Sequence, residues 1–462
     1  MITIGGACGA ALDWLEPSRR LLEEGLDYAI LETIGSAATC QAAKRAHDGG
    51  IGYHPYLRDR LELILEPAAE HGTTLVTNAG ITDPIGAGRL AMEVADELGV
   101  STQVIAVTGD GCLDLLRDDA DGFDVDVDEA ISANAYIGTE ELLGALEARG
   151  EEYDAHVVIG GRIADPSLVV APLVHEFGWD LDDWDRLGKA TVHGHLLECS
   201  AQVTGGYFCD PPRKQVPDLY RIGYPYVEVE RDGTAVLTKP DGTGGRVDRH
   251  TVREQLFYEV HDPSEYVTPD VVADFSTVEL EEIGPDSVAI RGGTGRPRPS
   301  DLKVLVGTIE GYEFEKFIPL GGPNAVSRAD VIRETVEKRL EHVFDVDRDG
   351  LDLRMEILGV NGLYGDAYDG DRSGYGDDEN EQEEVILRVA GNAPERRQLE
   401  PVLRTVSTTL PGPAGCGVAI PYEAGGITEK AEIEPVYVPR ERITADVDYV
   451  EIPEREVIAS AD

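Results

Sequence analysis

No apolar run in this sequence approaches the roughly 20 residues that a membrane-spanning helix needs, so the expected chain is not a helical membrane protein. The start, MITIGGACGAALDW, lacks the basic stretch of a secretory signal, and the expected location is the cytoplasm. Six cysteines (Cys8, Cys40, Cys112, Cys199, Cys209 and Cys416) are scattered with no CxxC pair. They read as reduced thiols, not as a disulfide framework or a zinc knuckle. Also absent are GxxxxGK[ST], GxSxG and HExxH, which removes ATP hydrolysis, α/β-hydrolase and zincin chemistry. Lysine is scarce: of 40 basic residues 8 are lysine and 32 arginine, against 89 acidic ones.

What is present in excess is negative charge. The formal charge of −49 is spread along the chain and not blocked at one end. Such self-repulsion weakens a compact fold in dilute salt, whereas molar salt screens it over about 3 Å. The composition therefore reads as that of a protein working in high salt. Nucleic acid is not an expected partner, since its phosphates would meet a field of their own sign.

At 462 residues with 42% hydrophobic content, the chain has material for two or three domains. Short apolar runs alternate with helical stretches: MITIGGACG, DYAILETIG, TTLVTNAG, STQVIAVTGDG and HVVIGGR read as strands, WLEPSRRLLEEG, YLRDRLELILEPAAEHG and PIGAGRLAMEVADELG as helices. This rhythm predicts a mainly parallel sheet with helices on both faces, an open sheet being preferred to a barrel. The first domain is placed at residues 1–215. A strand-rich α+β region follows at 216–345, then a small ferredoxin-like α+β domain at 346–430, and an irregular acidic tail at 431–462.

Several groups fall where a doubly wound sheet places its ligands, just beyond strand ends. Glu32 follows DYAIL and Asn78 follows TTLVT. GGRIADPSL sets Arg162, Asp165 and Ser167 after an apolar strand, with Pro166 able to start a helix whose N–H groups, with Arg162, suit a carboxylate or phosphate. The plainer alternative is that Asp165 caps the helix and pairs with Arg162. Gly109-Asp110-Gly111 lacks the third glycine of a dinucleotide fingerprint, Asp114 standing there, and reads as a tight turn. Asp345, Asp347, Asp349, Gly350 and Glu356 reproduce the spacing of a calcium loop. Against it stand Asp352 at an apolar position and a following segment that reads as a strand, so a solvated acidic turn is preferred.

The segment His193–Asp210 carries the strongest candidate for chemistry. If VHGHLLECSAQV is helical, His195, Glu198, Cys199 and Gln202 share one face while Val192, Leu196 and Val203 pack opposite. Elsewhere polar helix faces carry Asp, Glu and Arg, so this face reads as a pocket wall. Glu198 with His195 suits an acid–base pair, and Cys199 a nucleophile if its thiolate were favoured. Gly205 and Gly206 would let backbone approach a ligand, with Tyr207 and Asp210 at the rim. The competing readings are a buried structural helix and metal ligation by the His193/His195 cluster.

GGACG, VTNAG, GGRIADPSL, GHLLECSAQVTGGYF (Gly194 to Phe208), GRPRPSDLKVLVG and PGPAGCG together make the sequence resemble the acyclic terpene utilisation protein A family over most of its length. The resemblance implies that residues 1–215 are a domain of that type and that the chain serves the breakdown of branched acyclic terpenoids or related acids. The ligand it implies is a small-molecule carboxylate or acyl-CoA; the glycine-ended strands and the polar face at His193–Asp210, not the resemblance, point to an enzyme carrying out a hydration, isomerisation or lyase step. The resemblance supplies no cofactor and no catalytic residues. Two other roles stay open: a non-catalytic subunit of another enzyme of that pathway or of a homo-oligomer, and a metal-dependent enzyme using the histidines.

Overall fold

The computed structural model describes residues 1–118, 122–123, 125–344, 346–360, 362, 384–406, 426–444 and 447–453. In chain order the first half forms β1 (Ile2–Cys8), α1 (Glu16–Leu22), β2 (Tyr28–Leu31), α2 (Ser36–His47), α3 (Leu57–His71), β3 (Thr74–Thr77), α4 (Pro84–Leu98), β4 (Thr102–Thr108), α5 (Leu113–Arg117), β5 (Ala130–Ala135), α6 (Thr139–Glu147), β6 (Ala155–Gly160), α7 (Ser167–Phe177) and α8 (Trp184–Glu198). The second half forms β7 (Tyr226–Val229), β8 (Ala235–Thr238), α9 (Arg249–Phe257), β9 (Tyr266–Val267), β10 (Val272–Asp274), β11 (Glu279–Gly284), β12 (Ser287–Arg291), β13 (Thr294–Arg296), β14 (Asp301–Gly321), α10 (Ala325–His342), β15 (Asp352–Leu358), β16 (Glu384–Ala393), α11 (Arg396–Val406), β17 (Thr428–Pro439), α12 (Arg440–Thr444) and β18 (Asp448–Glu451). Two compact units result: Met1–Thr308 with Ile433–Asp462, and Ile309–Glu432.

In the first unit, β1, β2, β3, β6 and β4 pair in parallel in that order. Antiparallel strands extend both edges, β7, β8, β12 and β11 on one side and β18 on the other. The sheet is open, as expected. Its parallel strands are largely buried and mostly apolar because both faces are covered. Tyr28, Ile30, Val76, Val158 and Ile105 join α6, α7 and α8 in one core. Their neighbours Ala29, Leu31, Leu75, Val157 and Val104 join α1, α3 and α4 in the other. A side-chain period of two delivers alternate residues to opposite faces.

The second unit begins with the latter part of β14 and runs β14-α10-β15-β16-α11-β17, with strand order β15-β16-β14-β17. That is the ferredoxin-like arrangement in full. Phe314, Ile318, Leu387, Val389 and Ile357 alternate toward one face, where α10 and α11 cover them.

Three expectations are corrected. The segment expected as an irregular tail contains β17, α12 and β18, and β18 pairs with β4. Its Glu- and Pro-rich composition suits an edge strand, where unpaired groups and charge are tolerated. The candidate calcium loop does not form an EF-hand. Glu356 lies on β15 and pairs with Arg388 at 2.6 Å, while Asp347 accepts the Asp349 N–H in a local turn. A strand cannot return the twelfth position to the loop as a helix does. Asp345 lies outside the described residues, as do the acidic loop through residue 383 and PGPAGCG with Cys416. Third, the expected helix over VHGHLLECSAQV stops at Glu198. Ser200 takes a left-handed φ of +43° and Ser200–Gln202 form a 3₁₀ turn.

Candidate functional site

The parallel strands end along one line, and the chain beyond each end builds a cleft. After β1 the loop from Gly9 folds back, the Gly9 N–H bonding the Asp13 carboxylate at 2.8 Å. Buried Arg60 holds this loop from beneath, donating to the carbonyls of Ala10, Ala11 and Asp13. Gly9 is required by the packing: a Cβ there would lie 2.3 Å from the Cys199 backbone, so the end of β1 touches the end of α8 directly.

After β2 comes Glu32. Its Oε1 accepts the Ile34 N–H at 2.6 Å and the Asn78 side-chain amide at 3.2 Å. Asn78, at the end of β3, is itself fixed by the Thr33 N–H and hydroxyl. Burial, reinforced by the Asp165 carboxylate and opposed by Arg162, pushes the Glu32 carboxyl up to about 8.

After β6 the turn carries Arg162, almost fully buried, which donates to Asp165 Oδ1 at 2.8 Å and to the Ile163 carbonyl at 3.2 Å. Burial works against this cation, but Asp165 and Tyr136 together outweigh it and hold the guanidinium charged. The plain pairing weighed for Asp165 is thus present, while α7 has no side-chain cap. The Ser167 and Leu168 N–H groups bond the Ala164 and Asp165 carbonyls within the turn, so they are not open to an anion. Asp110, in the Gly-Asp-Gly turn, accepts the Arg162 N–H and the Asn134 amide and anchors this turn.

The end of α8 completes the wall. His195 Nδ1 and Glu198 Oε1 lie 2.8 Å apart, and the imidazole packs tilted beside Tyr266 and Phe275, which stack on each other. Glu198 Oε2 and His195 Nε2 are sealed from solvent without partners among the described residues. Burial raises the Glu198 carboxyl and the adjacent imidazole opposes that shift.

The resulting cavity is about 720 Å³. From the strand ends it receives Glu32, Arg162 and Asp165; from the end of α8 and the turn beyond come Glu198, Cys199, Gln202, Gly206 and Tyr207. Other candidates stand elsewhere. Asn78 and His195 sit behind Glu32 and Glu198 as their supports. Ser167 gives its hydroxyl to Asp270, which turns it away from the cleft. Asp210 closes a small turn on Lys214, and Gly205, at φ +112°, shapes the bend without lining the cavity. The helix-face argument grouped His195 with Gln202, but the turn at Ser200 breaks that spacing. Cys199 is held as a thiol, burial and the Glu198 charge raising it, which removes the ground for a free thiolate.

His193 bonds the Gly233 carbonyl and His195 bonds Glu198, so the two imidazoles serve different partners. Among the described residues no three His, Cys, Asp or Glu side chains converge as metal ligands. Tyr136, Lys303, Tyr258 and Asp13 also line the cleft and were not singled out from the sequence. Tyr136 carries Arg162 4.0 Å and Lys303 5.1 Å from its ring centre. The antiparallel pairing of β5 with β14 brings these two residues together across 167 positions, for which no local pattern exists.

A family model described as acyclic terpene utilisation family protein AtuA matches residues 2–449. No curated protein and no solved structure matches.

Proposed function

Because the chain belongs to the acyclic terpene utilisation family AtuA, we propose that its cleft performs an acid–base step on a branched acyl-CoA or carboxylic acid arising in that metabolism. The step is a hydration, isomerisation or elimination. The observation that carries this reading is the Glu198–His195 pair at 2.8 Å, buried at the end of α8 on the wall of a 720 Å³ cleft. A carboxyl raised by burial exchanges protons nearer neutrality than a surface glutamate, which is what general acid–base catalysis requires. His195 lies behind it as a positioning residue: its Nδ1 shares a hydrogen bond with Glu198 Oε1, while packing against Tyr266 and Phe275 fixes the ring. A cleft beyond the carboxyl ends of parallel strands is the usual ligand position in such sheets.

The test is turnover of branched acyl-CoA thioesters and free acids by the purified chain in molar KCl. Glu198→Gln should lower turnover by about 10²–10⁴-fold, the range of a lost general acid–base group, with the melting temperature near that of the parent. His195→Asn should shift the pH profile of the remaining activity. Full activity in both variants, or unfolding of both, would show the segment to be structural.

A further inference from the structure

We propose that Glu32 is a second proton-exchanging group of the cleft beside Glu198, giving a proton to the ligand and taking it back, and that the ligand offers it an uncharged oxygen, a thioester carbonyl or an alcohol, in preference to a free carboxylate. The choice of ligand rests on the acyl reading above; the assignment of Glu32 does not. Of the two buried glutamates on the cleft wall, Glu32 alone has an oxygen that is unpartnered among the described residues and yet not sealed from solvent. Its Oε1 accepts the Ile34 N–H and the Asn78 amide, and its Oε2 has no partner among the described residues and is not sealed from solvent. Glu198 Oε2, in contrast, is sealed. Asn78 is a positioning residue: it binds Glu32 through its amide and is itself gripped by Thr33, which fixes the plane of the carboxyl.

The surroundings favour the protonated acid. Asp165 and Arg162 face Glu32 from the β6–α7 turn, Cys8 from β1 and Cys199 from the end of α8. Arg162 is committed to Asp165, so the pair adds little net positive charge. With its carboxyl pushed up to about 8, Glu32 carries its proton at neutral pH, and since Oε1 already accepts two donors, that proton sits on Oε2. A ligand carboxylate brought here would meet Asp165 and Glu198, the buried Arg162 being committed to Asp165 and Lys303 standing exposed beside Tyr136, whereas a neutral oxygen accepts the proton without that repulsion. In the step, the Oε2–H bond breaks as the ligand oxygen takes the proton, and the electron pair stays on Glu32. The Ile34 N–H and Asn78 amide stabilise the carboxylate so formed, and return of the proton restores the acid.

A diazo reagent tests this without turnover, because diazoacetamide esterifies protonated carboxyls: the acid proton moves to the diazo carbon, the carboxylate oxygen displaces N₂, and an ester remains. With the full chain in molar KCl at pH 6.5 and sites mapped by mass spectrometry, Glu32 should label roughly two orders of magnitude faster than exposed glutamates, which are almost wholly ionised there. The labelling should fall as pH passes about 8. 3-Methylbutanoyl-CoA should slow it about tenfold and 3-methylbutanoate should not, a difference of about 1.4 kcal/mol in apparent binding. Labelling spread over surface carboxylates, or centred on Glu198, overturns the assignment of Glu32. Equal protection by the free acid, or protection by neither probe, overturns the ligand class. Loss of turnover in Glu198→Gln is read separately, so the two ideas fail independently.

Discussion

Glu32 illustrates how one side chain links burial to pH. Its ordinary value of 4.5 is pushed to about 8 in the folded chain by burial and Asp165. Below 4.5 the carboxyl is protonated in folded and unfolded chains alike, and no penalty arises. Between 4.5 and 8 the folded state binds the extra proton, so stability falls as pH rises and the loss is complete above about 8. Glu32→Gln, a neutral mimic of the acid, should remove this slope and melt higher than the parent at pH 8.5; thermal melts in molar KCl at pH 6 and 8.5 check it, and an unchanged slope would refute it. The position of Glu32 after an apolar strand was legible in the sequence. Its neighbours Asn78 and Asp165, which decide its charge, come from other strand ends, and only their convergence makes the acid special.

At the scale of elements, α8 shows what local pattern reveals and where it stops. The sequence marks a helix with an uncommon polar face, and a helix is there. Its end is set by contact with the sheet: Ser200 turns left-handed and gives its hydroxyl to the Gly6 carbonyl at 2.7 Å. That contact redirects Gln202. Glycine in α8 answers a second contact, since a Cβ at Gly194 would stand 2.7 Å from the backbone of Pro166. Gly194→Ala gains about 1 kcal/mol of helix propensity but must displace main chain that cannot yield. A net loss of about 1–3 kcal/mol is expected, read as a lower urea midpoint with unchanged slope. A gain in stability would mean that α8 and the β6–α7 turn separate easily.

For the whole molecule, the charge of −49 dominates. Carboxylates crowd around some of the cations, as where Arg58 meets Glu62, Glu93 and Glu97 together. Such exposed pairs contribute little each, so the excess acid is left to mobile ions. Lowering KCl from molar to about 0.1 M lengthens the screening distance to roughly 10 Å and should cost helical circular dichroism; an undiminished signal at low salt would refute this. The sequence by itself determined the alternation of strand and helix, the mainly parallel sheet and the positions of Glu32, Arg162, Asp165 and Glu198 near strand or helix ends, because those follow from periodicity and from residues adjacent in the chain. Only the tertiary structure decided that Tyr136 and Lys303 join them, that β18 returns to the sheet edge and that Ser167 and His195 stand back from the cavity. Those outcomes depend on pairings and burial between segments far apart in the chain, whose energies no local pattern records.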